Sequence, residues 1–329
     1  MDKTELESLA DKILAKIRSS PQHPFEAPKL SKALKASGDD IAAAVTLLKS
    51  LGYTVKIDRK RRYTFVDAPD SLLEAEISYG LKTKLLGRKV YAYQSVQSTN
   101  ALAGHLAAAG APEGTLVVAE HQTRGRGRLG RSWHSPGKLG LYCSIILKPR
   151  IHPTLAPGVS LITAVAVADT IASYGDVDVR IKWPNDILIA SRKTAGILTE
   201  LSAEIDRTSY IIAGVGVNIN HKMSDFPEEL RSKATSVRIG LNKIISRVEF
   251  TRKFLHNFEK QYITFKKHGL SKTRKNILKY SSLINTRVRL RIGRKTVAGN
   301  VLTIDEQGRL VIETAAGIEA YNAGEVTTQ

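Results

Sequence analysis

Between residues 122 and 135 the chain reads QTRGRGRLGRSWHS, glycines alternating with arginines directly after the apolar run TLVVAEH. Gly125, Gly127 and Gly130 lack a Cβ and let the backbone approach a ligand closely. Arg126, Arg128 and Arg131 add forked donors suited to carboxylate or phosphate oxygens. The pattern is neither a Walker A loop nor a GxGxxG fingerprint. Arg/Gly runs also occur in disordered segments that bind nucleic acid. Here the run is a single copy, lies between two predicted strands and ends in Trp133, which points to an ordered anion-binding loop.

A second run, KWPNDILIASRKTAGILTE at 182–200, brings Lys182, Asn185 and Asp186 to a strand–turn junction around Pro184. Asp186 and Asn185 suit Mg²⁺, which takes one or two carboxylates plus substrate phosphate oxygens. Lys193, on the next predicted strand, suits a reacting phosphoryl group. Taken singly, such residues are usually solvated lysines and turn amides, so only the ensemble carries weight. Two smaller patches complete it. GVGVNIN at 214–220 places Asn218 after two glycines at a strand end, and QSTNALA at 97–103 opens a helix, where Ser98 and Thr99 are either caps or ligand contacts.

The elements that must position these residues fall into three stretches. From about 82 to 281, apolar strands (LYCSIIL, VRIKW, DILIA, YIIAGVGVNI) alternate with helices (NALAGHLAAAG, LITAVAVADTIASYG, VEFTRKFLHNFEKQYITFKK), an α/β or α+β layering. Ahead of it, residues 1–67 predict three helices. The first has Leu6, Leu9, Ile13 and Ile17 at helical spacing and stops before Pro21; KLSKALKAS follows, then a turn at Gly38, then DDIAAAVTLLKSLGY. YTVKIDRKRRYTFV predicts a hairpin closing a winged helix-turn-helix. Residues 68–81 read as a linker. After residue 282 four short strands without a helix predict a small SH3-like β-barrel at 282–329.

At 329 residues the chain has room for two or three domains, and its 42% apolar share is ordinary for a globular protein. No apolar run is expected to approach the roughly 20 residues of a membrane span, which excludes membrane insertion. The acidic N-terminus lacks a secretory signal and points to the cytoplasm. The one cysteine, Cys143, lies in an apolar strand and reads as a core residue rather than a nucleophile. Fifty Lys+Arg against thirty-one Asp+Glu give +19, which favours polyanions or phosphate-bearing partners without choosing among them. The scattered histidines predict no zinc site.

STN, then GRGRxGRxW, then KWPND with RKxAGIL, then GxGxN: in this order the four patches resemble the biotin protein ligase family. With the N-terminal unit and the C-terminal strands, the chain resembles the bifunctional bacterial type, ligase and biotin operon repressor in one polypeptide. The resemblance implies an α+β multidomain protein with a class II synthetase-like central domain of mixed sheet. It implies that ATP and Mg²⁺ activate biotin as biotinyl-5'-AMP, and that biotin then passes to a lysine of the biotin carboxyl carrier protein of acetyl-CoA carboxylase. Ser98, Thr99, Asn100, Gln122, Arg126, Gly127, Arg128 and Lys193 would bind biotin, with Lys193, Arg128 and Arg126 catalytic. Gly125, Gly130, Arg131, Trp133, Lys182, Asn185, Asp186 and Asn218 would serve ATP and Mg²⁺, Asp186 as the metal contact through the nucleotide. A homodimer through the central sheet is also implied.

The DNA reader departs from that type. The third helix is expected to expose Asp39, Asp40, Ala42, Ala43 and Ala44, and alanine makes no bidentate contact to a base edge. The wing residues Lys56, Arg59, Lys60, Arg61 and Arg62 can still hold the phosphate backbone of an operator or a minor groove. Two rival readings stand beside the ligase. One is a lipoate-type ligase, disfavoured by the GRGRLGRSW loop. The other is a biotin-sensing winged-helix regulator, disfavoured by the presence of both Lys193 and Asp186.

Overall fold

The computed structural model describes residues 1–20, 23–205 and 207–328. The chain divides into two compact units, Met1–Asp70 and Ser71–Gln329.

In the first unit, helices α1 (Lys3–Arg18), α2 (Ala27–Leu34) and α3 (Gly38–Ser50) pack with a three-stranded sheet of β1 (Phe25–Glu26), β3 (Arg62–Asp67) and β2 (Thr54–Ile57), in that order. Leu9, Ile13 and Ile17 of α1 are buried against the Ile41, Val45 and Leu48 stripe of α3, as helical spacing requires. Pro21, expected to stop α1, lies outside the described residues; α1 itself ends at Arg18. Gly38, expected as a turn, is instead the first residue of α3, whose N-cap Ser37 forms a reciprocal capping box with Asp40. Ala44, expected on the exposed face of α3, is fully buried, since it lies three residues after the core residue Ile41; the outward positions are Ala42, Ala43, Thr46 and Lys49.

The second unit is built on a seven-stranded mixed sheet in the order β4 (Val90–Val96), β5 (Leu116–Gln122), β6 (Gly140–Leu147), β10 (Thr208–Asn218), β9 (Arg192–Ala203), β8 (Asp186–Ile189), β7 (Val179–Lys182). β4 and β5 run parallel and the other pairs antiparallel. In the segment read as a linker, Glu74–Ser78 forms α4, and Leu72, Ile77 and Leu81 join the core. One face of the sheet is covered by α6 (Pro157–Ala172) and α9 (Arg247–His268), the other by α5 (Thr99–Ala108) over Val117, Ile146 and Ile212. Short helices α7 (Glu228–Arg231), α8 (Val237–Leu241) and α10 (Arg274–Tyr280) complete the layer.

The segment Pro153–Ala172 is apolar and long enough to cross a membrane, contrary to expectation, but 78% of its apolar window is buried inside the protein. A helix covered on every side is apolar on every side, and the sheet and α9 cover this one.

After residue 282 come β11 (Arg287–Ile292), β12 (Lys295–Ile304), β13 (Leu310–Thr314), β14 (Gly317–Tyr321) and β15 (Glu325–Thr328), an antiparallel sheet in the order β14-β13-β12-β11-β15. Five strands stand where four were expected, because GIEAYNAGEVT breaks at Gly324. Val288, Leu290, Leu310 and Ile312 share one apolar cluster with the large sheet, and the Trp183 indole N–H donates to the Gly308 carbonyl at 2.9 Å.

Candidate active site

The site lies on the α5 face of the large sheet, just past the N-terminus of α5. Register puts Tyr142, Gly216 and Gly196 in one row across β6, β10 and β9, and Ser144, Gly214 and Leu198 in the next. The glycines let side chains lie directly on the backbone. A Cβ on Gly214 would come within 2.0 Å of Asn100 Oδ1, and one on Gly216 within 2.6 Å of the Trp133 ring.

Ser98 caps α5, accepting from the Ala101 amide. Gln122 Oε1 accepts from the Thr99 amide at 2.9 Å and from its hydroxyl at 3.1 Å, while Gln122 Nε2 donates to Ser135 Oγ at 3.0 Å. Asn100 is fixed by Ser144 Oγ at 2.6 Å, by the Leu198 carbonyl at 3.1 Å and by Glu200 at 2.7 Å. Ser98 is thus a helix cap, and Ser98, Thr99, Asn100 and Gln122 also line the cavity.

The Gly/Arg loop folds back on itself through Gly127 N–H to Arg131 O at 2.6 Å and Trp133 N–H to Gly125 O at 2.9 Å. At its tip Leu129 is 72% exposed with φ 57° and Gly130 has φ 74°, so a bulky residue sits in the left-handed region. Arg126 pairs with Glu200 at 3.4 Å. Arg128 donates to the neutral Asn185 amide oxygen at 2.9 Å. Burial pushes the Arg128 guanidinium below its usual range, opposed by the nearby Asp186 carboxylate. A half-buried cation bonded to an amide is poised for an anionic ligand.

Lys193 enters from the edge of the same space. Its ammonium pairs with Asp186 at 2.7 Å and stands 5.3 Å over the Trp133 ring, an arrangement that combines Coulomb and cation–π attraction. Two connected cavities result, sharing Gly127, Arg128, Trp133, Asn185 and Lys193. The first, about 50 Å³, is lined by Ser98, Thr99, Asn100, Gln122 and the glycine rows. The second, about 160 Å³, is lined by Arg131, Lys182, Asp186 and Glu325. Each alone is smaller than the ~300–1,000 Å³ of a typical small-molecule site, and the Arg128 and Trp133 side chains stand where the two meet.

Most of the expected residues meet here. Asn218 does not line either cavity; its amide donates to the Thr235 carbonyl at 3.1 Å. The two glycines ahead of it, Gly214 and Gly216, form the floor instead. Gly125, packed under Trp133 and Ser135, and Gly130, at the loop tip, likewise line neither cavity. Linear spacing did not reveal Glu200 or Glu325, the latter bonding both Arg131 and Arg291. Cys143 is buried, and burial pushes its thiol well above the usual range, which suits a core residue. Among the described residues no group of three or more His, Cys, Asp or Glu is placed to hold a metal.

On the hairpin between β2 and β3, Lys56, Arg59, Lys60 and Arg61 are exposed. Arg62 is engaged otherwise: its guanidinium pairs with Asp58 at 2.6 Å, and Asp58 also accepts from the Lys60 and Arg62 amides.

A mixed sheet with a glycine floor and an arginine loop is the frame of a carboxylate-activating ligase, and comparison bears this out. Residues 91–218 match the Biotin/lipoate A/B protein ligase family, and residues 283–327 match the Biotin protein ligase C terminal domain. The chain is 39% identical to the bifunctional ligase/repressor BirA of Bacillus subtilis, over 91% of this chain and 92% of that protein. To BirA of Escherichia coli it is 29% identical, over 96% of each chain. Among solved structures, biotin protein ligase from Aquifex aeolicus in complex with biotin and ATP aligns with 74% of this chain and 99% of its own, at 28% identity and a TM-score of 0.65. The chain belongs to the biotin protein ligase family.

Proposed function

We propose that the protein joins biotin to a lysine of a biotin carboxyl carrier protein in two steps at this site. The observation that carries this is the convergence of the Gly/Arg loop, Lys193 and the KWPND turn on two cavities that share a wall. In the first step a biotin carboxylate oxygen bonds to the α-phosphorus of ATP, the bond to the β-phosphate oxygen breaks, and pyrophosphate leaves. In the second the lysine amine bonds to the acyl carbon, AMP leaves, and the amine loses a proton.

The attacking carboxylate is already ionised, so positioning and charge neutralisation carry the rate. Thr99, Asn100 and Gln122 hold the biotin end. Arg126, Arg128 and Lys193 face the carboxylate and α-phosphate, and Arg131, Trp133 and Lys182 line the nucleotide end. Asp186 and Glu325 are the two carboxylates of the second cavity, each paired with a cation. That donor set fits Mg²⁺ bound through nucleotide phosphates rather than in a protein cage, with Asp186 as its contact. The ion would spread the charge of the phosphate oxygens. Closure of the Gly/Arg loop shields the acyl phosphate from water.

The first unit, in the helix–strand order of a winged helix-turn-helix, supports a second role as a biotin-responsive repressor. Its exposed hairpin cations suit phosphate contacts, whereas Ala42 and Ala43 on α3 read no base. A homodimer through the central sheet suits a two-fold operator; β8 leaves β9 after Gly196, so Leu198–Ala203 has a strand partner only in β10. Residues 282–329 we read as an SH3-like barrel and the central layer as class II synthetase-like.

The test is incubation with biotin, ATP, Mg²⁺ and a biotin carboxyl carrier domain, reading lysine biotinylation by mass. Wild type should label the acceptor. Lys193→Ala and Arg128→Ala should each slow the first step about 100-fold or more, the usual loss on removing one charge-stabilising group. Biotin binding without labelling would turn the reading to a sensor.

A further inference from the structure

We infer that Ser144, which lines neither cavity, is a positioning residue that sets the specificity of the biotin pocket. It fixes which way the hydrogen bonds of the pocket wall run, so that Thr99 and Gln122 meet the ligand with oxygen acceptors. This rests on the ligase reading above. Ser144 is fully buried on β6. It stands beside Gly214, and Gly214 beside Leu198, in one row across the sheet. Because Gly214 has no side chain, the Asn100 amide lies across it and spans from Leu198 to Ser144.

Both ends of the network are anchored on groups that only accept, which gives it a direction. Asn100 Nδ2 donates to the Leu198 carbonyl at 3.1 Å and to the Glu200 carboxylate at 2.7 Å. Glu200 is in turn held by Arg126 at 3.4 Å. Asn100 Oδ1 therefore points the other way and takes the proton of Ser144 Oγ at 2.6 Å. A hydroxyl has one proton, so the Ser144 oxygen is left as an acceptor for the Thr99 hydroxyl 2.8 Å away. At the far end Ser135 Oγ donates to the Trp133 carbonyl at 3.1 Å and accepts from Gln122 Nε2 at 3.0 Å. That turns Gln122 Oε1 toward Thr99, whose amide donates to it at 2.9 Å.

The Thr99 proton thus has two acceptors, Ser144 Oγ at 2.8 Å and Gln122 Oε1 at 3.1 Å. A ligand N–H that arrives at Gln122 Oε1 turns it wholly to Ser144, and Thr99 then shows the ligand a lone pair. Biotin carries a cyclic urea at the end away from its carboxylate, with two N–H donors that such a wall matches. A ring oxygen in the place of either N–H would face oxygens, and buried acceptors left unpaired are what make a site selective. Without the Ser144 hydroxyl, the Thr99 proton has only Gln122 or the ligand to go to, and the wall offers a donor as readily as an acceptor.

The experiment uses the full chain carrying Ser144→Ala, and Ser144→Cys, which keeps the shape with a weaker donor and acceptor; a melting curve checks folding. Calorimetry reads the binding of biotin and of two cyclic carbamates, each with one ureido N–H replaced by oxygen. Biotin-dependent pyrophosphate release without acceptor reads the KM for ATP. For Ser144→Ala the biotin Kd should rise about tenfold, the loss of one net hydrogen bond, while the KM for ATP stays at the wild-type value. The preference for biotin over at least one carbamate should shrink by about tenfold or more, because the freed Thr99 proton can turn to the ring oxygen. Ser144→Cys should fall between. Equal weakening of biotin and both carbamates, with the preference unchanged, overturns the proposal and leaves Ser144 a packing residue; so does an equal rise in the KM for ATP. A wild type that binds no biotin overturns the ligase reading and the proposal together, whereas binding without pyrophosphate release overturns the ligase reading alone.

Discussion

Trp133 lies flat on Gly216 and Gly196 because neither has a side chain to lift it. A methyl at 216 would sit 2.6 Å from the indole, and overpacking of that kind costs about 1–3 kcal/mol. Since Trp133 belongs to a surface loop, the ring should yield rather than the strand. Gly216→Ala should then lower pyrophosphate release about tenfold and leave the melting temperature nearly unchanged; a large loss of stability would show that the strand yields. His221 presents a different residue-scale test. It is fully buried, its Nε2 lies 3.3 Å from Tyr142 Oη and its Nδ1 has no partner. Desolvation, with His134 nearby, holds its pKa down to about 4 against 6.5. The unfolded chain takes up a proton below pH 6.5 while the folded one resists, so stability falls as pH drops from about 6.5 to 4, by at most about 3 kcal/mol. Urea titrations over that window should show the slope, and His221→Asn should flatten it.

At the scale of elements, β5 carries Gln122 to the site and is anchored two residues earlier. Glu120 and Arg247 at the start of α9 form an ion pair at 2.6 Å, 6% and 2% exposed, and Glu120 also accepts from the Leu72 amide at 2.8 Å. Removing one partner of a buried pair costs about 3–5 kcal/mol, because the other charge is left unpaired. Arg247→Met should show that loss in chemical denaturation, and adding Glu120→Gln should lose less than the sum of the two single changes. None of this was legible in the sequence. Glu120 and Arg247 are far apart along the chain, and only the packing of α9 on the sheet joins them. Glu200 and Glu325 escaped for the same reason, since register rather than spacing brings them to the loop. What was legible were elements with strong local signals: the Gly/Arg loop, the KWPND turn, the largely apolar α6 and the central strands β5, β6 and β10. β4 went unread because its exposed Tyr93, Gln94 and Ser95 blur the alternation, and β9 was read only in its first half, the strand carrying Lys193, because its polar second half gives no apolar run. Asn218 lines neither cavity, whereas Gly214 and Gly216 of the same patch line the first.

Across the whole molecule, all residues lining the two cavities of the site lie in the unit Ser71–Gln329, while the exposed cations of the hairpin lie in Met1–Asp70. A fragment of residues 71–329 should therefore keep biotin-dependent pyrophosphate release within about twofold of the full chain, a ΔΔG‡ of about 0.4 kcal/mol, and lose duplex DNA binding; a fragment without the first step would show that the division of labour is wrong. Cutting after Tyr280 should be far more damaging, since the core of the C-terminal sheet is continuous with that of the large sheet.

The chain holds two tryptophans, and their surroundings differ in a useful way. Trp183 is 2% exposed, hydrogen-bonded to Gly308, and reaches the lining of the second cavity alone. Trp133 forms a wall shared by both cavities, beneath the Lys193 ammonium. One indole thus borders a single cavity from a buried position, and the other is an emitter whose neighbours change whichever cavity fills. Intrinsic fluorescence can follow occupancy in real time without a label, and replacing Trp183 with phenylalanine would leave a single-colour readout of the site alone.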